Sequence, residues 1–385
     1  MDDAQIGLLN RRNFLKLSLA GLGASALGLY AFGQQGGAVD YADPAYRYWQ
    51  KRTPGSLALE NYLVMCAALA PSAHNTQPWK FAVRDRAITV YADFQRSLGQ
   101  ADPAHRMKLL SVGCALENIR IAAADLGFVA QINVADAGQF AADQQCADIR
   151  LVADNNLSHQ PLFQAMFQRQ TTRAAYLPQA VPAALQARLA ALNDFPQLNL
   201  RWFDSPADLT AMAGLNTEAC IAFTRHDAAY LDSLKWWRYS RNELLRKRDG
   251  ISIFTSAAPA VIKQYFQYGV SAEDMAGAFG KNGEIDLMQQ LFAATPLWGV
   301  ISAKRVSLQN RLQAGQLFER LFLQATDEQY KMHAINYVTE SADYAEKFKR
   351  RFDIVPDDEL LLVFRMGQAP ACEKSVRRPL ADIIV

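Results

Sequence analysis

The chain has 385 residues, half of them hydrophobic, with 40 basic and 38 acidic side chains and a formal net charge of +2. That length can bury one large core or two fused halves of roughly 150 to 190 residues each. The near-neutral balance argues against nucleic acid, which calls for a clustered basic surface, and the five cysteines show no Cys-x-x-Cys spacing.

In chain order, Asn10-Arg11-Arg12-Asn13-Phe14-Leu15-Lys16 comes first, followed by an apolar stretch over 17–32 that Gly21, Gly23 and Gly28 dilute. It is short and glycine-rich against the roughly 20 apolar residues that a membrane span needs. It resembles a twin-arginine export signal. The resemblance implies a signal and linker over 1–38, the twin-arginine machinery as a partner and a periplasmic location. No clean small-x-small cleavage site stands out, so retention as an anchor is the alternative.

Residues 56–70 read as a helix with Ser56 as N-cap and Leu59, Tyr62, Leu63 and Cys66 on one face. Pro71 ends it. The loop Pro71-Ser72-Ala-His74-Asn75-Thr-Gln77-Pro78-Trp79 then offers hydrogen-bonding groups on a proline-stiffened frame. From composition alone an ordinary turn is the other reading. Residues 80–84 and 87–92 alternate apolar and polar around Asp85-Arg86, which predicts a hairpin. A long helix runs through Val112-Gly113 and ends at Gly127 as C-cap.

After a short amphipathic helix carrying Leu162, Met166 and Phe167 come Arg169-Gln-Thr171-Thr-Arg173. Two guanidiniums flanking a hydroxyl suit a phosphate monoester, because arginine forks bind its oxygens by charge-assisted hydrogen bonds. A solvated basic stripe is the alternative. Residues 207–291 are predicted as extra helical material rich in aromatics, including Trp237, Phe266 and Phe279, with part of 230–290 covering the site. Thr295-Pro-Leu-Trp298-Gly299 begins a strand. A second long helix over 308–330 echoes the Val112-Gly113 pattern at Ala314-Gly315, which suggests an internal repeat. Residues 360–367 read as a closing strand before Arg377-Arg378-Pro379-Leu380. Histidines are sparse and lack ligand spacing, so no metal is expected. No Ser-His-Asp arrangement is visible, and no catalytic residue is assigned.

Together, the Pro-Ser-x-x-Asn-x-Gln-Pro-Trp loop, the Arg-x-Thr-x-Arg run and the basic tail resemble the nitroreductase superfamily of FMN-dependent flavoproteins, over most of 56–385. The loop precedes the arginines here, the reverse of the usual order, which resembles the fused, pseudo-dimeric Acg-type branch. The implied fold is α+β, with two fused pseudo-symmetric halves of mixed, mostly antiparallel sheet around central helices: 39–160, and 161–385 with a helical lid insertion. The implied cofactor is one FMN in a monomeric chain. Arg169, Thr171 and Arg173, with Arg377 or Arg378, would hold its phosphate. Pro71, Ser72, His74, Asn75 and Gln77 would contact it from the other half, and Gly299 would let backbone approach N5. The implied activity is reduction of small electron acceptors such as nitroaromatics or quinones; a flavin-binding or flavin-sequestering protein with little turnover is the alternative. Export would separate the protein from NAD(P)H, which makes a membrane electron donor a further implied partner.

Overall fold

The computed structural model describes residues 40–135, 144–157 and 159–385. The twin-arginine segment lies outside the described residues. Two four-stranded antiparallel sheets organise the remainder. The first orders its strands β1-β2-β4-β3, from β1 (Trp79–Arg84), β2 (Ala87–Ala92), β3 (Phe128–Val134) and β4 (Gln145–Ala153). The second orders them β5-β6-β8-β7, from β5 (Leu198–Phe203), β6 (Leu297–Ala303), β7 (Lys331–Ile335) and β8 (Glu359–Gly367). The two orders are the same path through four strands, so the repeat suggested by the sequence is a repeat of topology. Every ladder is antiparallel.

The helices, in chain order, are α1 (Leu59–Ala68), α2 (Arg106–Asp125), α3 (Pro161–Gln168), α4 (Ala183–Ala190), α5 (Pro206–Arg225), α6 (Asp227–Leu234), α7 (Arg241–Lys247), α8 (Ala260–Gly269), α9 (Ala272–Ala276), α10 (Ala278–Ala293), α11 (Leu308–Asp327) and α12 (Ala342–Arg351). Helix α1 begins at Leu59 with Ala58 as N-cap, not at Ser56. Tyr62 through Ala68 are all buried, so packing rather than a cap places this helix.

Helices α2 and α11, each of 20 residues, cross at the centre of the molecule. At the crossing a Cβ on Gly113 would run into the Leu312 carbonyl oxygen, and one on Gly315 into the Leu110 carbonyl oxygen. The reciprocity is that of a two-fold interface within one chain. Glycine is needed at both positions because backbone meets backbone. One apolar core runs through the crossing, from Tyr46 and Leu63 to Leu317 and Phe364. A buried ion pair binds the same seam: Arg320 of α11 lies 2.6 Å from Glu117 of α2, and it also donates to the exposed Asp194 at 2.6 Å.

Each sheet is extended at one edge by an isolated bridge, the first of them by chain from the other half. Ile384 bridges to Phe81 on the outer edge of β1, and Thr171 bridges to Met332 on the outer edge of β7. Two of the four edge strands, β1 and β7, are thereby partly covered.

The helical insertion α5–α10 sits between β5 and β6. In the first sheet the corresponding connection, β1 to β2, is the tight turn at Asp85-Arg86. Residues 93–105, by contrast, join β2 to α2. The five cysteines are all free and buried, so none forms a disulfide.

Candidate functional site

The loop 71–79 leaves α1 and delivers β1, and its backbone is strained. His74, Asn75 and Gln77 have φ of 49°, 52° and 48°, the left-handed region that costs non-glycine residues energy. Surrounding structure over-determines the strain. Gln77 N donates to Ser72 Oγ at 3.0 Å, and Gln77 Nε2 donates to the Arg248 carbonyl at 2.8 Å. Arg378 N donates to Gln77 Oε1 at 2.8 Å. Ala73 N donates to Ser111 Oγ of α2 at 3.1 Å, and His74 Nε2 lies 2.7 Å from Ser233 Oγ of α6. Central helix, insertion and C-terminal tail thus all grip one loop.

Beneath the grip opens a cavity of about 1510 Å³. It exceeds the roughly 300–1,000 Å³ of an ordinary small-molecule site. Its floor is the α2 face carrying Met107, Leu110, Ser111 and Cys114, spaced i, i+3, i+4, i+7. The insertion contributes aromatic and apolar wall, including Trp237, Phe266 and Phe279. Helix α8 lies over it with no fully buried residue, and Lys263 from that helix reaches Glu373 at 3.4 Å. Arg241 also meets Glu373, at 3.1 Å, so one carboxylate of the C-terminal segment ties down the cover.

Of the residues singled out from sequence, Pro71, Ser72, His74, Thr171 and Arg173 line this cavity. Arg173 is the notable one. Its guanidinium has no hydrogen-bond or ion-pair partner among the described residues, and burial lowers its proton affinity. It is a cation at the cavity wall with no carboxylate counter-ion among the described residues, a chemistry that suits an anionic group.

The structure brings the other candidates close but turns them away from the cavity. Arg169 is 2% exposed; it donates to the Leu69 carbonyl at 2.8 Å and lies 3.6 Å from Glu319. Arg377 donates to Leu69 O and to Asn75 Oδ1, both at 3.0 Å, and stacks over Trp49. Arg378 donates to the Gln77 carbonyl at 3.1 Å. Asn75 and Gln77 are buried under the loop that they brace. These residues hold the cavity's shape, and of the residues expected to hold a phosphate, Arg173 and Thr171 are the ones that line it. Gly299 differs in kind. It lies mid-strand in β6, between Trp202 and Phe364, and a Cβ there would strike the Phe364 ring. Its glycine serves sheet packing, and it stands apart from the cavity.

Several lining residues carried no sequence signal. His333 is 6% exposed and held neutral by burial and by Arg365, whose Nε donates to its Nδ1 at 3.3 Å. Cys114, Cys372, Glu284 and Tyr337 also face the cavity. The aromatics of the insertion that line the cavity, Trp237, Phe266 and Phe279, were expected there from sequence, and the helical spacing of Met107, Leu110, Ser111 and Cys114 is a signal that the sequence also carries. Among the described residues no group of His, Cys, Asp and Glu could hold a metal ion, and no helix is long and apolar enough to cross a membrane.

No family model matches the chain. It is similar to a Mycobacterium tuberculosis chain provisionally named NAD(P)H nitroreductase acg, at 29% identity over 45% of this chain and 52% of that one. It is also similar to the provisionally named NAD(P)H nitroreductase PigM of a Serratia species, at 25% identity over 74% of this chain and 81% of the relative. The chain spans about half the length of the first of these curated relatives. Among solved structures, the FMN-dependent nitroreductase NfnB from Mycobacterium smegmatis in complex with NADPH overlays with a TM-score of 0.37 at 15% identity, covering 58% of this chain and 96% of that one. The curated sequence relatives support the resemblance to the nitroreductase superfamily.

Proposed function

We propose that this chain is an FMN-binding oxidoreductase of nitroreductase type that reduces small acceptors such as nitroaromatics or quinones. The observation that carries the reading is Arg173: an unpaired guanidinium in a large cavity whose rim is the polar loop 71–74 and whose floor is apolar helix. Those features fit a flat, phosphorylated cofactor. When bound, FMN supplies hydride or single-electron transfer.

The chain's own residues bind and orient. Arg173 and Thr171 take the phosphate, and Ser72 with the backbone of the loop addresses the polar edge of the ring. Met107, Leu110 and Cys114 supply the surface on which a ring can lie. Arg169, Asn75 and Arg377 keep the loop in its strained form, so the ligand pays little of that ordering cost. The residues come from both repeats, which accounts for one FMN per monomeric chain. The domain limits proposed are 39–160 and 161–385, with the insertion as a cover. The twin-arginine route, a periplasmic location and a membrane electron donor belong to the same reading and rest on Arg11-Arg12 and the apolar stretch behind them.

A second reading, flavin sequestration with little turnover, is favoured by the cover itself, since Glu373 ties α8 across the cavity through Lys263. One experiment separates the two. Protein is purified, its flavin quantified by absorbance, and NADH, NADPH and dithionite are added in turn. Bleaching by a nicotinamide supports the enzyme; bleaching by dithionite alone supports sequestration. A colourless protein that takes up no added FMN ends both. Fractionation of cells expressing the wild type and Arg11→Lys/Arg12→Lys tests export.

A further inference from the structure

One stretch of the cavity wall is polar for no reason that binding a phosphorylated ring explains. It is built by α10 and by the turn Tyr337–Thr339, which follows β7. Tyr337 Oη donates to Glu284 Oε1 at 2.7 Å, and both side chains line the cavity. Glu284 meets no cation among the described residues. Arg106 of the central helix is engaged elsewhere, donating to Thr339 Oγ1 at 2.6 Å.

The titratable and charged groups that face the pair are Cys220 from α5, Tyr230 from α6, Glu340 beyond the turn and Arg173. Burial raises the proton affinity of Glu284 above the usual carboxylate range, and burial pushes Glu340 up to about 8. A carboxyl without a counter-ion in an apolar wall favours its neutral form. Neutral Glu284 has one oxygen occupied by the tyrosine hydroxyl and an O–H to offer. The wall around it is apolar, with Phe279, Leu287 and Met288 on the same helix. Apolar surface with a few convergent polar groups is the composition that orients an apolar ligand by one or two hydrogen bonds.

We propose that Glu284, positioned by Tyr337, donates a hydrogen bond to an oxygen of a planar aromatic carbonyl or nitro compound, and so sets which electron acceptors the cavity takes. The proposal rests on the oxidoreductase reading for the word acceptor; the binding it describes does not. Phe279 and its neighbours hold the rings, and Glu284 distinguishes an oxygenated ring system from a hydrocarbon of the same shape.

The test uses the whole protein as purified, with its flavin content measured by absorbance. Each variant is titrated at pH 6 with 1,4-naphthoquinone and, separately, with naphthalene. Quenching of tryptophan fluorescence reads the binding without turnover, Trp237 being part of the wall. Glu284→Ala is expected to weaken 1,4-naphthoquinone roughly three- to tenfold, the range for one neutral hydrogen bond, and to leave naphthalene unchanged. Glu284→Gln keeps a donor in the same shape and should restore most of the affinity. Tyr337→Phe should weaken the quinone and spare naphthalene. Equal loss for both ligands, or no loss in Glu284→Ala, overturns the proposal. So does wild-type protein that binds 1-naphthylmethylamine more tightly than the quinone, since the carboxyl would then act as an anion. A colourless protein that still discriminates quinone from hydrocarbon defeats the flavin reading and leaves the donor pair standing.

Discussion

Arg377 donates to Asn75 Oδ1 at 3.0 Å while Asn75 Nδ2 donates to the Val376 carbonyl at 3.3 Å, so adjacent residues of the tail engage both ends of one loop amide. Sequence separates these partners by most of the chain. The tail reaches the loop because its last residues join the open edge of β1, where Phe81 N donates to the Ile383 carbonyl at 2.7 Å. The pairing is therefore a structural lock on a strained turn, and its loss has a computable consequence.

Arg377→Ala removes a buried charged donor from Asn75 and Leu69 and uncovers Trp49. At roughly 1.5–3 kcal/mol for a hydrogen bond to a charged group, offset by relaxation, the expected loss is about 2–4 kcal/mol. It is read as a lower urea midpoint. Asn75→Ala should be non-additive with it, with a coupling of about 0.5–3 kcal/mol for residues in contact. Additive losses would mean that the bond does not hold the loop.

The two arginines of the Arg-x-Thr-x-Arg run should behave oppositely. Arg173→Ala deletes no protein contact seen among the described residues, so stability should stay within about 0.5 kcal/mol. Flavin affinity should fall roughly ten- to a hundredfold, the worth of one charge-assisted hydrogen bond. Arg169→Ala removes the buried donor to the Leu69 carbonyl; Glu319, 3.6 Å away, loses little, because burial pushes its carboxyl up to about 8 and leaves it largely neutral near pH 7, so the cost should be about 1.5–3 kcal/mol of folding stability. Thermal melting with flavin titration of both variants checks this. A stable, flavin-poor Arg169→Ala protein would reverse the assignment.

Much of the frame was legible because it depends on local pattern. The Asp85-Arg86 hairpin, the Gly127 C-cap at φ 81° and the paired long helices follow from alternation, turn chemistry and glycine placement. What stayed hidden depends on long-range packing. Arg169 and Arg173 sit in the same motif four positions apart, and nothing local says that one turns onto Glu319 and the other into the cavity. Gly299 looked like a close-approach glycine and is one, but the neighbour is Phe364. Glu284 and Tyr337 meet only because an insertion folds back over β7, a relation that periodicity does not encode.

The crossing of α2 and α11 gives the sharpest packing prediction. With Gly315 Cα only 2.9 Å from where a Gly113 Cβ would stand, alanine there must push two helix backbones apart. Either Gly113→Ala or Gly315→Ala should cost at least the roughly 1–3 kcal/mol of an overpacked core. Because both substitutions widen the same gap, the double variant should cost less than the sum. Chemical denaturation of the three variants measures it. A neutral Gly113→Ala would show that the helices do not touch as described.

Protonation of His74 links the loop to pH. Burial first, and then the charge of Arg173, lower its pKa from the ordinary 6.5 to about 4. Between those values the unfolded chain takes up a proton that the folded chain refuses, so stability falls as pH drops through the window. From pH 7 to pH 5 the loss attributable to this residue is about 2 kcal/mol, from 1.36 kcal/mol per pKa unit. His74→Asn suits the left-handed backbone at φ 49° and cannot titrate, so its urea midpoint should be flatter with pH than the wild type's by that amount. Inorganic phosphate bound at Arg173 would cancel the second cause and leave the first. Saturating phosphate should therefore shrink the wild-type pH dependence only in part and leave that of Arg173→Ala unchanged. An identical phosphate response in both proteins would place the anion somewhere other than Arg173.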